Sequence, residues 1–199
     1  MLGLLALPMA QPLSARAQGG PPAPIGFRII REGSDIGSHT VRFQQAGGTL
    51  SALTEVAIAV RLMGITVFRY SHRFEESWAD GRLREARSRL DRNGTVTEMQ
   101  ARAVIGGIQV QGPEGALRLP AEAAPLSWWD ASRYAAPLFD NAKGSLLRLS
   151  LQREALPDGG QRWRVGGEED ATAGYDAAGR WRDYTTKGDD GSTVVYRRA

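Results

Sequence analysis

The sequence predicts a mainly β protein: a single curved antiparallel sheet or incomplete β-barrel carrying one short helix. Three observations predict it. From Ile25 onward, turn signals recur about every eight to twelve residues, the spacing of hairpin-connected strands. Between Leu50 and Leu62 the apolar residues Leu50, Ala52, Val56, Ile58, Val60 and Leu62 share one face, with Ser51, Glu55 and Arg61 on the other, which is the period of two of a strand. Only the stretch from Ala121 to Gly144 has helical character.

Taken in order, "IGFRIIREG" reads as a first strand and "IGSHTVRFQQ" as a second, with Gly47-Gly48 turning into the alternating third. Gly64 bends the chain into "ITVFRYSHRFEESW", where Phe68, Tyr70, His72, Phe74, Glu76 and Trp78 fall together. Asp80-Gly81 and Asn93-Gly94 are residue pairs that tolerate the positive φ angles of two-residue type I′ loops. Counting from the first loop sets Trp78 opposite Leu83, Glu76 opposite Glu85, Phe74 opposite Arg87 and His72 opposite Arg89. Counting from the second sets Glu85 opposite Arg102, Arg87 opposite Gln100 and Arg89 opposite Glu98. "GGIQVQGPEGALRLP" follows as two short strands around Pro113-Glu114-Gly115. A helix is expected from Ala131 to Phe139, with Asp130 as N-cap and Pro137 limiting its length. Strands return in "SLLRLSLQREAL", "QRWRV", "GRWRDYTTK" and "STVVYRR", separated by turns at "PDGG", "DAAG" and "DDGS". The Gly-Arg units at 81–82 and 179–180 are turn chemistry at irregular spacing, not a repeat.

A chain of 199 residues with 42% hydrophobic residues suits one domain with one substantial core. The apolar run Leu2 to Met9, followed by Ala15-Arg16-Ala17, reads as residues 1–17 of a signal peptide, incomplete because it lacks a positive n-region. Residues 18–24 are a Pro/Gly linker and residues 25–199 a single β-rich domain, expected to be periplasmic or secreted. No later segment approaches the roughly 20 apolar residues of a membrane span, so no transmembrane segment is expected in the mature chain. With no cysteine, neither a disulfide framework nor thiol chemistry is available. The net charge of +3 is made of arginines interleaved with acids, as in "RLREARSRLDRNG", which argues against a nucleic-acid partner.

The sharpest chemical candidate is the set His72, Glu76 and Glu85, a histidine and two carboxylates suited to metal binding or acid–base work. Arg87, Arg89 and Arg102 on the same predicted face would repel a divalent ion, and they favour a self-compensating ion-pair lattice. His39, after Gly37-Ser38, reads as a structural histidine beside a turn. Nucleophile elbows, His-Glu-x-x-His and phosphate loops are missing, and no metal or cofactor is expected. Phe68, Tyr70, Phe74 and Trp78, with His72, either line a cavity for an apolar ligand or form plain core. Trp128 and Trp129, where strands give way to helix, serve either as a lid over an open sheet end or as a plug.

The stretches "IGSHTVRF", "VFRYSHRFEESWADGRL", "YDAAGRW" and "DGSTVVY" together resemble an exported proteobacterial domain-of-unknown-function family, from about Gly26 to Tyr196. That resemblance implies a periplasmic β-rich protein and carries no catalytic residues. The segment "RVGGEEDATAG" is short beside the family pattern, which implies a missing or shortened edge strand. More remotely, the strand order is similar to the half-barrel of periplasmic lipoprotein carriers, where a curved sheet holds acyl chains under a helical lid. The function expected is a non-catalytic binding or carrier-like protein for a hydrophobic small molecule such as a lipid or acyl chain. The ligand-lining candidates are Phe68, Tyr70, His72, Phe74, Trp78, Trp128 and Trp129. The alternatives are an interaction module that meets an envelope protein partner through an exposed sheet edge, and a hydrolase or metal enzyme using His72 and Glu76.

Overall fold

Two-residue loops set the N-terminal half. In a computed structural model, which describes residues 20–199, the pairs Glu32-Gly33, Gly47-Gly48, Met63-Gly64, Asp80-Gly81 and Asn93-Gly94 all have positive φ at both positions. This is the twist-matched geometry that lets a strand reverse onto its neighbour. The expected signal segment, residues 1–17, lies outside the described residues.

The strands so connected are β1 (Ile25–Arg31), β2 (Ser34–Ala46), β3 (Thr49–Leu62), β4 (Ile65–Ala79), β5 (Arg82–Arg92) and β6 (Thr95–Val104). After them come β7 (Gly107–Gly112) and β8 (Gly115–Leu119), then β11 (Leu149–Ala155), β12 (Gln161–Gly167), β13 (Ala171–Tyr175), β14 (Trp181–Lys187) and β15 (Thr193–Arg198). All join one antiparallel sheet in the order β11-β12-β13-β14-β15-β1-β2-β3-β4-β5-β6-β7-β8. The sheet is curved and not closed, since β8 and β11 stay at its two edges. It has 13 strands. "ATAGY" forms β13, an internal strand between β12 and β14 and not a shortened edge.

Residues 120–148 run from one edge strand to the other and fold onto the concave face. The expected helix is only a 3-10 turn, Ala131–Ala135. Asp130 caps it as foreseen, accepting from the Ser132 amide. Pro137 stops it, and the next residues pair instead as β10 (Leu138–Phe139), parallel to β9 (Ala124–Pro125). Two sheet residues hold this segment from opposite halves. Glu76 on β4 accepts hydrogen bonds from Ser127 Oγ (2.8 Å) and Trp129 Nε1 (2.6 Å). Tyr175 on β13 donates to the Trp128 carbonyl (2.7 Å) and meets the Tyr134 hydroxyl at 2.7 Å. The segment thereby supplies Leu126, Trp129, Tyr134, Leu138 and Phe139 to the same core as Phe27, Phe74, Met99 and Trp181.

One irregularity decides which side chains face that core. Trp78 pairs with Leu83, as counted, but Ser77 pairs with Glu85, so Arg84 is an extra residue in a β-bulge. Beyond it Glu76 faces Ala86, Phe74 faces Ser88 and His72 faces Leu90. The expected pairs Glu76–Glu85, Phe74–Arg87 and His72–Arg89 are therefore wrong by one residue. With a side-chain period of two, that one residue moves Glu85, Arg87 and Arg89 from the inner to the outer face. The second loop contains no such insertion, and Glu85–Arg102, Arg87–Gln100 and Arg89–Glu98 pair as expected.

Candidate functional site

Between the inner face of β2–β5, strands β14 and β15, and the folded-over segment lies a cavity of about 420 Å³, within the ~300–1,000 Å³ range of ligand pockets. Its wall is apolar along Val41, Val56, Ile58, Phe74, Leu90 and Leu126, and aromatic where Trp128, Trp181, Tyr184 and Tyr196 meet. The aromatic rings support one another, with centroids 4.7 Å apart for Trp128–Tyr184 and 4.8 Å for Tyr184–Tyr196. Such tilted and edge-on contacts fix the rings at little entropic cost.

Both histidines of the chain open into this space. His39 is 6% exposed, and its ring stands edge-on to Trp181 at 5.0 Å and to Tyr196 at 5.5 Å. Its Nδ1 has no hydrogen-bond partner among the described residues. Gly37 and Ser38 are not the turn expected before it; they lie inside β2. A Cβ at Gly37 would stand 1.9 Å from the Ala57 carbonyl oxygen, so glycine is required by the close approach of β3. His72 shares a hydrogen bond with Ser88 Oγ (2.8 Å), while the Tyr70 hydroxyl sits 3.5 Å from its Nδ1. Burial pushes His39 down to about 3, helped by nearby His72, and pushes His72 down to about 4. Both rings are accordingly neutral at neutral pH. Burial also pushes the Tyr70 hydroxyl up to about 12.

Further polar lining comes from Thr54 and Arg92 on the sheet, from the folded-over segment and from the β12–β13 connection. Asn141 donates from Nδ2 to the Leu126 carbonyl (3.0 Å) and leaves its buried Oδ1 without a partner among the described residues. Asp140 Oδ1 accepts from the amides of Ala142 and Lys143, each at 2.7 Å. Glu169 is raised above its ordinary value, by burial first and then by the charge of Asp140.

Of the residues expected to line a ligand site, Tyr70, His72, Phe74, Trp128 and Trp129 all border this cavity. Phe68 lies beyond it towards the end of β4, under the Arg92 guanidinium at 5.5 Å. Trp78 is core, with the Arg133 guanidinium 3.2 Å above its ring. The two tryptophans divide the roles foreseen for them: Trp129 is plugged into the core by its bond to Glu76, and half-buried Trp128 faces the cavity. Sequence reasoning missed Trp181, Tyr184, Tyr196, Asn141 and Glu169. The alternation of Val194 and Tyr196 in "STVVYRR" was a readable signal, but nothing local tells that β15 lies against β1.

His72 and Glu76 do not form one centre. Four residues along a strand span about 13 Å, and Phe74 stands between them on the same face. Glu76, 2% exposed, spends its carboxylate on Trp78 Nε1 (3.0 Å), Ser127 and Trp129. The third member, Glu85, is on the opposite face, bound to Arg87 (2.7 Å) and Arg102 (3.5 Å). No cluster of three or more metal-ligating side chains occurs among the described residues.

Residues 27–199 match the model of a domain of unknown function, DUF6134. The chain belongs to that family. No curated protein matches this DUF6134 chain. Its fold is similar to the crystal structure of a β-barrel-like protein of domain of unknown function DUF1849 from Brucella abortus. That pair has a TM-score of 0.58 and 12% identity, covering 88% of this chain and 94% of that one. A DUF1089 family protein from Pseudomonas aeruginosa is 16% identical over 88% of this chain and 96% of that one, with a TM-score of 0.45. The first likeness concerns the β-barrel-like fold alone. No helix among the described residues is long and apolar enough to cross a membrane.

Proposed function

We propose that this DUF6134 protein is a non-catalytic, periplasmic binding or carrier-like protein for a hydrophobic ligand bearing an acyl chain. The observation that supports it is the concave cavity, apolar along β2–β5, into which His39 Nδ1, His72, Tyr70 and Asn141 Oδ1 bring uncharged hydrogen-bonding groups, with Arg92, Asp140, Lys143 and Glu169 as the charged part of its lining. Each methylene that leaves water for such a wall contributes about 0.8 kcal/mol. Buried polar atoms without partners, meanwhile, favour a ligand that supplies donors and acceptors. An ester or amide at the head of an acyl chain meets both demands without bringing a charge against neutral histidines.

The other readings have less to support them. The edge strands β8 and β11 carry Arg118, Arg153 and Glu154, charges that discourage strand addition. The enzyme reading loses its carboxylates, one to the core and one to the outer face.

Mass spectrometry of organic extracts from protein purified out of its native compartment tests the proposal. Wild-type protein is expected to release an acyl-bearing compound in near-stoichiometric amount, and Val56→Trp, which fills the cavity, to release little. A ligand-free wild type, or equal recovery from the filled variant, would overturn it.

A further inference from the structure

The β3–β4 hairpin is longer than the sheet needs. β2 pairs with β3 only as far as Ile58, and on the other side the last backbone contact of β4 is that of Arg69 with Asn93, so residues 59–68 project as a two-stranded ribbon beyond the paired parts of both neighbours. The three rungs outside both neighbours correspond to roughly 10 Å. The end of the ribbon is apolar: Met63 is 95% exposed, Ile65 69%, Leu62 62% and Val67 55%. An isolated ribbon is marginal in water, and these side chains leave more than half of their surface in solvent.

Met63 is the most telling of them. Its φ is +50°, a left-handed conformation that the other loops with positive φ at both positions assign to Glu32, Gly47, Asp80 and Asn93. An unbranched apolar residue gains nothing there for folding and loses both backbone and hydration free energy.

The ribbon also continues the cavity wall. Cross-strand partners share a face, and the inward pairs run Ile58–Tyr70, Val60–Phe68 and Leu62–Ile65, with a bulge at Val67 keeping them in step. Ile58 and Tyr70 line the cavity; Leu62 and Ile65 end at the tip. Arg61 among the ribbon's other positions and Arg69 at its base are exposed and make no ion pair among the described residues, although most arginines elsewhere on the sheet do. Free cations beside an exposed apolar tip complement an anionic lipid surface, where the tip enters the headgroup boundary and the guanidinium groups meet phosphates.

We infer that the Leu62–Ile65 tip is a docking element for an anionic bilayer surface, and that the apolar track behind it leads from that surface to the cavity. Insertion is shallow, because the free edges of the ribbon carry backbone groups that hydrocarbon cannot satisfy. The track's role as a ligand route rests on the binding function proposed above; the docking itself does not.

Flotation with mixed phosphatidylethanolamine–phosphatidylglycerol vesicles, without added ligand, tests docking. Wild-type protein is expected to float with these vesicles and much less with phosphatidylcholine vesicles. Met63→Asn combined with Ile65→Thr is expected to lower partitioning by at least about tenfold, since two large side chains no longer leave water. Asn-Gly suits the turn, so thermal stability should be unchanged or higher. Arg61→Ser with Arg69→Ser should remove the preference for anionic lipid. Val56→Trp, which closes the cavity, should bind vesicles as wild type does, which separates a failure of docking from a failure of ligand binding. Absence of vesicle binding by wild type, or full binding by the Met63/Ile65 variant, overturns the inference. So does self-association abolished by that variant without vesicle binding, which would assign the tip to a second copy of the chain.

Discussion

Glu76 shows how one side chain ties sequence to architecture. Burial pushes it up to about 6, while donors from Trp129 and Ser127, the Arg133 charge and the Trp78 indole oppose that rise. Alanines on both neighbouring strands, Ala52 and Ala86, face it and leave room for the folded-over segment to reach its carboxylate. Glu76→Ala strands three buried donors and is expected to cost about 3–5 kcal/mol, whereas Glu76→Gln keeps one acceptor oxygen and should cost about 1–2 kcal/mol. Chemical denaturation of both variants checks the difference. The histidines set the pH response. Their folded values, about 3 for His39 and about 4 for His72, lie below the ordinary 6.5, so their stabilising contribution is complete above 6.5 and is lost as pH falls towards 3. Glu76 is raised and acts in the opposite sense, adding stability below its ordinary 4.5 and losing it as pH rises through about 6. The balance of the three predicts stability about 3 kcal/mol lower at pH 5 than at pH 8. Denaturation at the two pH values, on wild type and on His39→Gln/His72→Asn, measures it; a wild type no more pH-sensitive than the double variant would contradict the assignment.

At the scale of elements, turns and outer-face charges follow local rules. Gly81 and Gly94 have φ of +71° and +87° with open space around a would-be Cβ, so valine at either position is penalised by backbone strain alone. Gly81→Val and Gly94→Val should each cost about 1–3 kcal/mol in thermal unfolding without altering ligand content. The ion pairs of β2–β6 form an exposed band on the outer face: Arg42–Glu55, Arg73–Glu55, Arg87–Glu85, Arg102–Glu85 and Arg89–Glu98. With side chains between 34% and 70% exposed for Glu85 and Arg102, a double-mutant cycle on that pair is expected to give a coupling of at most about 1 kcal/mol. A larger value would mean that this face is covered. The lattice was legible because Asn93-Gly94 sets the β5–β6 register by simple counting. The β5 partners of His72 and Glu76 were not, because the Arg84 bulge leaves no local mark in "WADGRLREA", a stretch equally compatible with an unbroken ladder.

At the scale of the molecule, the open sheet depends on the segment that joins its edges. Tyr175 on one half and Glu76 on the other hold residues 127–134 over the concave face, so the core is completed by a connection and not by strand closure. Tyr175→Phe removes a donor to the Trp128 carbonyl and a partner of Tyr134 at once, and should cost about 2 kcal/mol in denaturant unfolding. A loss below about 0.5 kcal/mol would show that the segment is held by apolar packing alone. By itself, the sequence determined the β class, the hairpin loops and the β5–β6 ion pairings, since turn chemistry and period-two alternation act between residues close along the chain. Only the tertiary structure decided that Glu85, Arg87 and Arg89 lie on the face opposite His72 and Glu76, that residues 120–148 fold inward, and that His39, Trp181, Tyr184 and Tyr196 meet His72 around one cavity. Those outcomes depend on a bulge that shifts register by one residue and on β15 pairing with β1, contacts between distant parts of the chain that leave no local pattern.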